Sequence, residues 1–289
     1  MKALYKHEMS TFLTSPIGYI AVAVMVMFGG VFTSYVCLKG GSGRFEFVLG
    51  NMSFVYIIVI PVLTMRSFAE ERRQKTDQLL YSLPLSSLEV VLAKYLAMLT
   101  VLLVPTVLIG LFPLILANYG TVNFVAAYAS LGAFYLLGMA LIAVGMFISS
   151  VTDNQIVAAI ITLGLLLLNY FLSSLSRILV SASATVSFIG FLVLAVLFGL
   201  VVFLLTKNWI AAASSAVAGV IAVVVTYLTN RNAYANLLML AMDESSLFGR
   251  MFNFMYETFR LVDAVVFFGV AVVFTVMTVQ SLEKRRWSA

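Results

Sequence analysis

The residues best equipped to do chemistry in this chain lie between Arg66 and Lys94, in the run RSFAEERRQKTDQLLYSLPLSSLEVVLAK. Its cluster Glu70-Glu71-Arg72-Arg73 offers paired charges, not an acid, a base or a metal set. Wound as a helix, the run brings Phe68, Arg72, Lys75, Leu79 and Leu83 near one face, apolar at both ends and basic in the middle. Such a face is too charged to enter lipid. It serves either as a solvated connector or as a docking helix for a cytoplasmic protein, with charges at the rim tuning pairing and register. Pro84 ends the helix. Ser86-Ser87 with Glu89 is a cap signature opening a next helix that runs through Lys94.

The chemistry that is missing narrows the field. A phosphate-binding loop needs a Gly-Lys-Ser/Thr ending, and the chain has no Gly-Lys dipeptide. Lys39-Gly40-Gly41-Ser42-Gly43-Arg44 is glycine-rich but reads as a hairpin loop between two apolar runs. The one histidine, His7, excludes an HExxH site and a Ser/His/Asp set, and the one cysteine, Cys37, excludes an intrachain disulfide. No catalytic, cofactor-binding or metal-ligating residue is expected in this chain.

The elements that must carry the charged run are membrane spans. Of the 289 residues, 63% are hydrophobic and 10% charged, and the mean hydropathy is +1.09. A soluble domain is nearer half apolar and a quarter charged. Lipid is therefore the solvent for most of the chain, which excludes a soluble enzyme and a nucleic-acid-binding module. The first apolar run lacks a small-x-small cleavage site and reads as a retained span. The expected fold class is all-α: a polytopic integral membrane protein with about eight transmembrane helices. The candidates are Ile17–Leu38, Phe47–Met65, Tyr95–Ala117, Phe124–Ser149, Gln155–Ser173, Ser187–Leu205, Ile210–Leu228 and Ala264–Leu282. The count is six if the hairpin Ser187–Leu228 is re-entrant. Gly50, Asn51 and Ser53 dilute the start of the second candidate.

None of the eight runs contains Asp, Glu, Lys or Arg. Ion-coupled carriers place such residues at mid-membrane, so energy for transport must come from elsewhere. The most polar deep residue is Asn169, suited to an interhelical hydrogen bond or to a substrate contact. With the N-terminus in the cytoplasm, eleven of the 17 Lys and Arg residues fall on cytoplasmic segments and six outside, which places both termini in the cytoplasm. That distribution also accounts for the net charge of +5 without a nucleic-acid partner. Small residues such as Gly138, Gly145, Ala211, Ser215 and Gly219 permit close helix contacts, within the chain or between copies.

The whole chain, 1–289, reads as one transmembrane domain. Residues 1–16 form an interfacial helix with Met1, Leu4, Tyr5, Met9, Phe12 and Leu13 on its apolar face, handing over to the first span at Pro16. Residues 66–94 are the longest cytoplasmic segment. Residues 229–263 are an outer amphipathic segment, with Met251, Phe252, Met255, Phe259 and Val262 on one face. It either rests on the membrane or contacts an extracytoplasmic partner.

In these residues the sequence resembles the type-2 ABC transporter permeases. Phe68, Glu70-Glu71-Arg72-Arg73, Thr76, Leu79-Leu80, Pro84 and Lys94 follow that family's loop pattern. Lys75 and Asp77 stand where the family often has glycine and glutamate. The ends FLTSPIGYI, Phe12 to Ile20, and SLEKRRW, Ser281 to Trp287, look most like the gliding-motility-associated GldF-like branch. The resemblance implies a permease subunit of an ATP-driven exporter in a bacterial plasma membrane, coupled through Glu70–Leu83 to a separate ABC ATPase present in two copies. ATP and Mg would be held by that ATPase, and this chain would not be the enzyme. Glu71 and Arg72 are the expected polar contacts to it, Phe68 and Leu79 the packing contacts. A second permease half is implied, as a homodimer or a related subunit. So is a companion protein with a large extracytoplasmic domain. The alternative reading of the uncharged spans is a structural membrane anchor that recruits partners without moving substrate. Apolar spans suit a lipid-linked or amphipathic cargo and would look similar for a peptide.

Overall fold

The structure, a computed structural model, describes residues 1–41, 43–75, 86–178, 185, 187–193, 195, 209–229, 237–256 and 260–286. Those residues are almost wholly helical, with no strand among them. Six stretches are long and apolar enough to cross a membrane: Pro16–Lys39, Phe45–Arg73, Ser87–Leu116, Phe124–Val151, Gln155–Leu172 and Leu261–Arg285. The chain is thus an all-α polytopic membrane protein. The expected span Ser187–Leu205 falls largely outside the described residues. The expected span Ile210–Leu228 is helical, with Ala213–Leu228 a shorter apolar stretch.

The described chain divides into two compact units, Met1–Leu168 with Arg250–Ala289, and Asn169–Gly249. The first unit begins with α1 (Lys2–Thr14) and α2 (Pro16–Thr33). Pro16 takes the first position of α2, where its missing N–H costs nothing, and the Ser15 hydroxyl accepts from Ile17 N–H at 3.3 Å. The second apolar run is α3 (Phe45–Met52) and α4 (Tyr56–Thr64), joined by a 3-10 turn over Ser53–Val55. The polar residues that dilute this run are where it changes winding: Asn51 Nδ2 donates to Phe47 O at 2.8 Å and Ser53 Oγ to Gly50 O at 2.7 Å. Next come the short α5 (Ala69–Arg73), α6 (Ser87–Ile109) and α7 (Phe112–Leu116). The expected capping box is present on α6. Glu89 N–H meets Ser86 Oγ at 3.3 Å, and Ser86 N–H meets Glu89 Oε2 at 3.1 Å.

At the centre lies α8 (Phe124–Val151), packed by the last helix, α13 (Leu261–Arg286), and by α3, α4 and α6. Its buried face mixes small residues such as Ala133, Gly138 and Gly145 with Leu137, Leu141, Ile142 and the one aromatic, Phe134. The Tyr56 ring stacks on Phe134 at 4.4 Å, and the Tyr56 hydroxyl donates to Phe134 O at 3.0 Å. Tyr95 donates to Met139 O at 3.0 Å and Tyr135 to Leu99 O at 3.3 Å. In lipid such hydroxyls must find partners, and here neighbouring helices supply them. Gly145 lies against Thr64 so closely that a Cβ would collide with its side chain. Gly138 and Gly145 thus serve packing inside the chain.

Two expectations need correction. The charged run does not continue as one helix from Glu70 to Leu83: α5 stops at Arg73, and Lys75 turns left-handed at φ 57°. Residues 76–85 lie outside the described ones. Nor is the expected apolar face of the outer segment wholly open to lipid: Met251 and Met255 are buried, whereas Phe252 is half-buried and Val262 exposed. Helix α12 (Leu247–Met255) buries Met251, Phe254 and Met255 within the protein. Within the first unit, Met255 fills the space at Gly50, and Ser130 Oγ donates to Phe254 O at 3.3 Å. The one charge of α12 is matched: Arg250 Nη1 meets buried Asp263 Oδ1 at 2.7 Å, with Asn253 Nδ2 on Oδ2 at 3.2 Å. Val262 belongs to α13, and Phe259 is outside the described residues.

The second unit holds the end of α9 (Gln155–Ile178), α10 (Trp209–Thr229) and α11 (Leu237–Ser245). Asn169 makes the expected interhelical hydrogen bonds. Its Nδ2 donates to Ser245 O at 3.2 Å and its Oδ1 accepts from Leu247 N–H at 3.0 Å. The side chain thus bridges the break at Ser246 between two helices.

Candidate functional site

The charged run enters the fold through one serine. Phe68 N–H and Ala69 N–H, the first free donors of α5, both donate to Ser149 Oγ at 3.2 Å. Ser149 Oγ in turn meets Met65 O at 3.3 Å, and Ser149 is fully buried near the end of α8. The start of α5 is therefore fastened to the central helix by backbone bonds that no substitution at 68 or 69 short of proline removes. Glu70 and Glu71 occupy the first turn of α5 and Arg72 and Arg73 the last, the arrangement favoured by the helix dipole.

Lys94 is the centre of the site. It sits about two turns into α6, 2% exposed, where the helix enters its uncharged stretch from Tyr95 onward. Its Nζ lies 2.6 Å from Glu71 Oε1 and 2.7 Å from Glu8 Oε1. It also lies 5.4 Å from the centre of the Phe68 ring. A buried ammonium needs such partners. Three elements are joined through this one charge: α1 by Glu8, α5 by Glu71, and α6, which carries the lysine. Tyr5 OH and Thr100 Oγ1, 2.9 Å apart, add a second tie between α1 and α6. Helix α1 is thus fixed to the third apolar run and to α5.

On its other side α5 reaches the turn after α8. Arg72 Nη1 lies 3.3 Å from Thr152 O and 3.5 Å from Asp153 Oδ1. Asp153 also receives Arg285 Nη1 at 2.7 Å, and Arg285 Nη2 donates to Val151 O at 2.8 Å. Hydrogen bonding from Arg285 holds the Asp153 carboxyl below its ordinary range; the charges of Arg285 and Arg72 act the same way, and slight burial opposes them. Ser281 Oγ donates to Ser150 O at 3.3 Å. The end of α13, the 150–154 turn and α5 are therefore linked.

The site residues expected from sequence divide into three groups. Phe68 and Arg72 are buried inside this chain, at 3% and 9% exposure, and Glu71 is half-buried on Lys94. Glu70 is half-buried beside Arg66, 3.4 Å away, and Arg73 and Lys75 are exposed. Thr76, Leu79, Leu80 and Pro84 lie outside the described residues. Glu8, Ser149, Asp153 and Arg285 were missed, because each is distant in sequence from the run it holds. Lys94 carried one legible signal, a lone charge at the mouth of an apolar helix, which must find a countercharge.

Lys75 stands where the resembling family often has glycine, and the reason is visible. Lys75 N–H donates to Arg72 O at 3.0 Å, closing α5 with a residue in the left-handed region that glycine enters without strain.

Among the described residues no His, Cys, Asp or Glu cluster could hold a metal ion. The arrangement is built to fasten a charged surface element to several helices at once.

A family model described as "ABC-2 family transporter protein" matches residues 18–176, more than half of the chain. No curated protein and no solved structure matches it.

Proposed function

The chain belongs to the ABC-2 transporter family, a membrane component of ABC transporters, and from that premise we propose that it is the permease half of an exporter driven by a separate ATPase that docks on residues 66–94. The observation that carries this reading is the anchoring of α5. Its backbone is bonded to Ser149, its Glu71 to Lys94 and its Arg72 to the Asp153 turn. A push on the exposed residues of this segment is delivered to α1, α6, α8 and α13 together. A loose connector would need none of these ties.

Within this reading the roles divide by burial. Exposed Arg73 and Lys75 and half-buried Glu70 are contacts for the ATPase; Thr76, Leu79, Leu80 and Pro84, outside the described residues, are assigned to the same docking on the sequence pattern alone. Phe68, Glu71 and Arg72 pass the motion inward. The site faces the cytoplasm of a bacterial plasma membrane, as the Lys/Arg distribution favours. Two copies of the ATPase and a second permease half, identical or related, complete the transporter. The two chain ends support placing it near the GldF-like branch. A companion protein with a large outer domain would meet the exposed residues around Asp243 and Glu244 of α11, because the face of α12 is taken up inside the chain.

The test separates docking from transmission. Arg73→Glu should lower recovery of the ATPase with the purified permease. Glu71→Gln should leave recovery intact but reduce the permease-dependent change in ATP hydrolysis in reconstituted membranes. If neither variant alters recovery or hydrolysis, the coupling role is wrong; if no ATPase co-purifies with the wild type, the anchor reading takes its place.

A further inference from the structure

A cavity of about 430 Å³ lies between α1 and the α4–α5 junction. Its lining combines apolar Leu4, Phe12 and Ile17 with charged Glu8, Arg66, Glu70, Glu71 and Lys94, and with His7. The charged groups are held in place. Glu8 and Glu71 are fixed on buried Lys94, and Arg66 is paired through Nε with Glu70. Its lining falls where charge meets the apolar sequence: Ile17 opens the first candidate span, and Arg66 follows the uncharged run Phe47–Met65.

From this geometry we infer that the cavity is a headgroup site for a phospholipid carrying both a phosphate and a primary ammonium, such as an ethanolamine phospholipid of the adjoining leaflet. Three features select it. The lining has three carboxylates against two cations, so a headgroup bearing only negative charge is disfavoured and an ammonium is drawn in. Arg66 uses Nε on Glu70 and carries further N–H donors on its Nη atoms, which suit a phosphate. Phe12 and Ile17 continue the lining into the apolar run of the first span, where an acyl chain would lie. A protein partner has no need of that apolar lining.

The test uses the full chain purified in mild detergent, with no ATPase and no nucleotide, so its outcome is independent of the coupling reading. The chain is equilibrated with vesicles of equal parts ethanolamine, glycerol and choline phospholipids with identical dioleoyl chains, washed, and its retained lipid identified by native mass spectrometry. The ethanolamine lipid should be enriched roughly tenfold over the other two, as one or two charge-assisted hydrogen bonds would give. Stepwise N-methylation of the headgroup should lower that enrichment at each step. Arg66→Gln and Glu70→Gln, both at partly exposed positions, should bring it to the bulk ratio, while Lys39→Gln, in the outer hairpin loop, should not. Retention at the bulk ratio by the wild type overturns the inference, including the case in which a protein occupies the cavity. Enrichment that survives both Arg66→Gln and Glu70→Gln overturns it as well.

Discussion

At Lys75, a single backbone angle costs stability that a side chain does not repay. A non-glycine residue in the left-handed region is disfavoured by about 1–2 kcal/mol, and Lys75 is exposed. Lys75→Gly should therefore stabilise the fold by up to about 1 kcal/mol, after glycine's greater freedom in the unfolded chain is subtracted, and so raise the unfolding midpoint. A thermal melt in detergent with both variants decides it, and an unchanged or lower midpoint would count against the strained cap. Lys94 works in the opposite sense. Lys94→Met leaves Glu8 and Glu71 without their shared cation and should destabilise by roughly 3–5 kcal/mol, the range for breaking a buried pair from one side. Asp153 supplies a pH dependence. Its folded pKa is depressed, so its contribution is complete above its ordinary value of about 3.9 and is lost as pH falls through the lower folded value. The gap in stability between wild type and Asp153→Asn should be constant from pH 7 to pH 5 and close only below that. A gap that closes at pH 6 would contradict this assignment.

Among the elements, legibility followed locality. The capping box on α6, the Pro16 handover and the helical character of the apolar runs were all readable, because each depends on residues within four positions of one another. Ser86→Ala should cost about 1 kcal/mol by removing the cap that opens α6, measurable in the same melts. The early end of α5 could have been drawn from Lys75 in a glycine position, but the regular spacing of Phe68, Arg72, Leu79 and Leu83 spoke more strongly. The outer segment shows the same limit. Periodicity does not distinguish lipid from protein as the surface that covers an apolar face, and Met251 and Met255 are covered by protein while Val262 is exposed. Asp263, a charge just ahead of the last span, pairs with Arg250 and Asn253. The contacts of the candidate site are the least legible part, since Glu8 reaches Lys94, Ser149 reaches α5 and Arg285 reaches Asp153 only when separate helices are assembled.

For the whole molecule, the ties at one end of the first unit fix a shared side for four segments. The N-terminal helix, the charged run, the 150–154 turn and the end of α13 are joined through Lys94 and Asp153. In a Cys37→Ala background, single cysteines at Arg73, Asp153 and Lys284 should label alike with a membrane-impermeant maleimide and unlike one at Lys39; a split among the first three would refute a common side. The packing of α8 against α13 also has a bearing on how the protein is made. During synthesis α8 enters the bilayer more than a hundred residues before α13 exists, and until then Arg250 lacks Asp263, Asp153 lacks Arg285 and Phe147 lacks Phe274. The nascent chain thus remains incomplete at both membrane faces until its final helix arrives, and a product released early displays that incompleteness to the cell's proteases. Chains terminated before Leu261 should be cleared rapidly, whereas chains ending just after Arg286 should persist like the full-length protein.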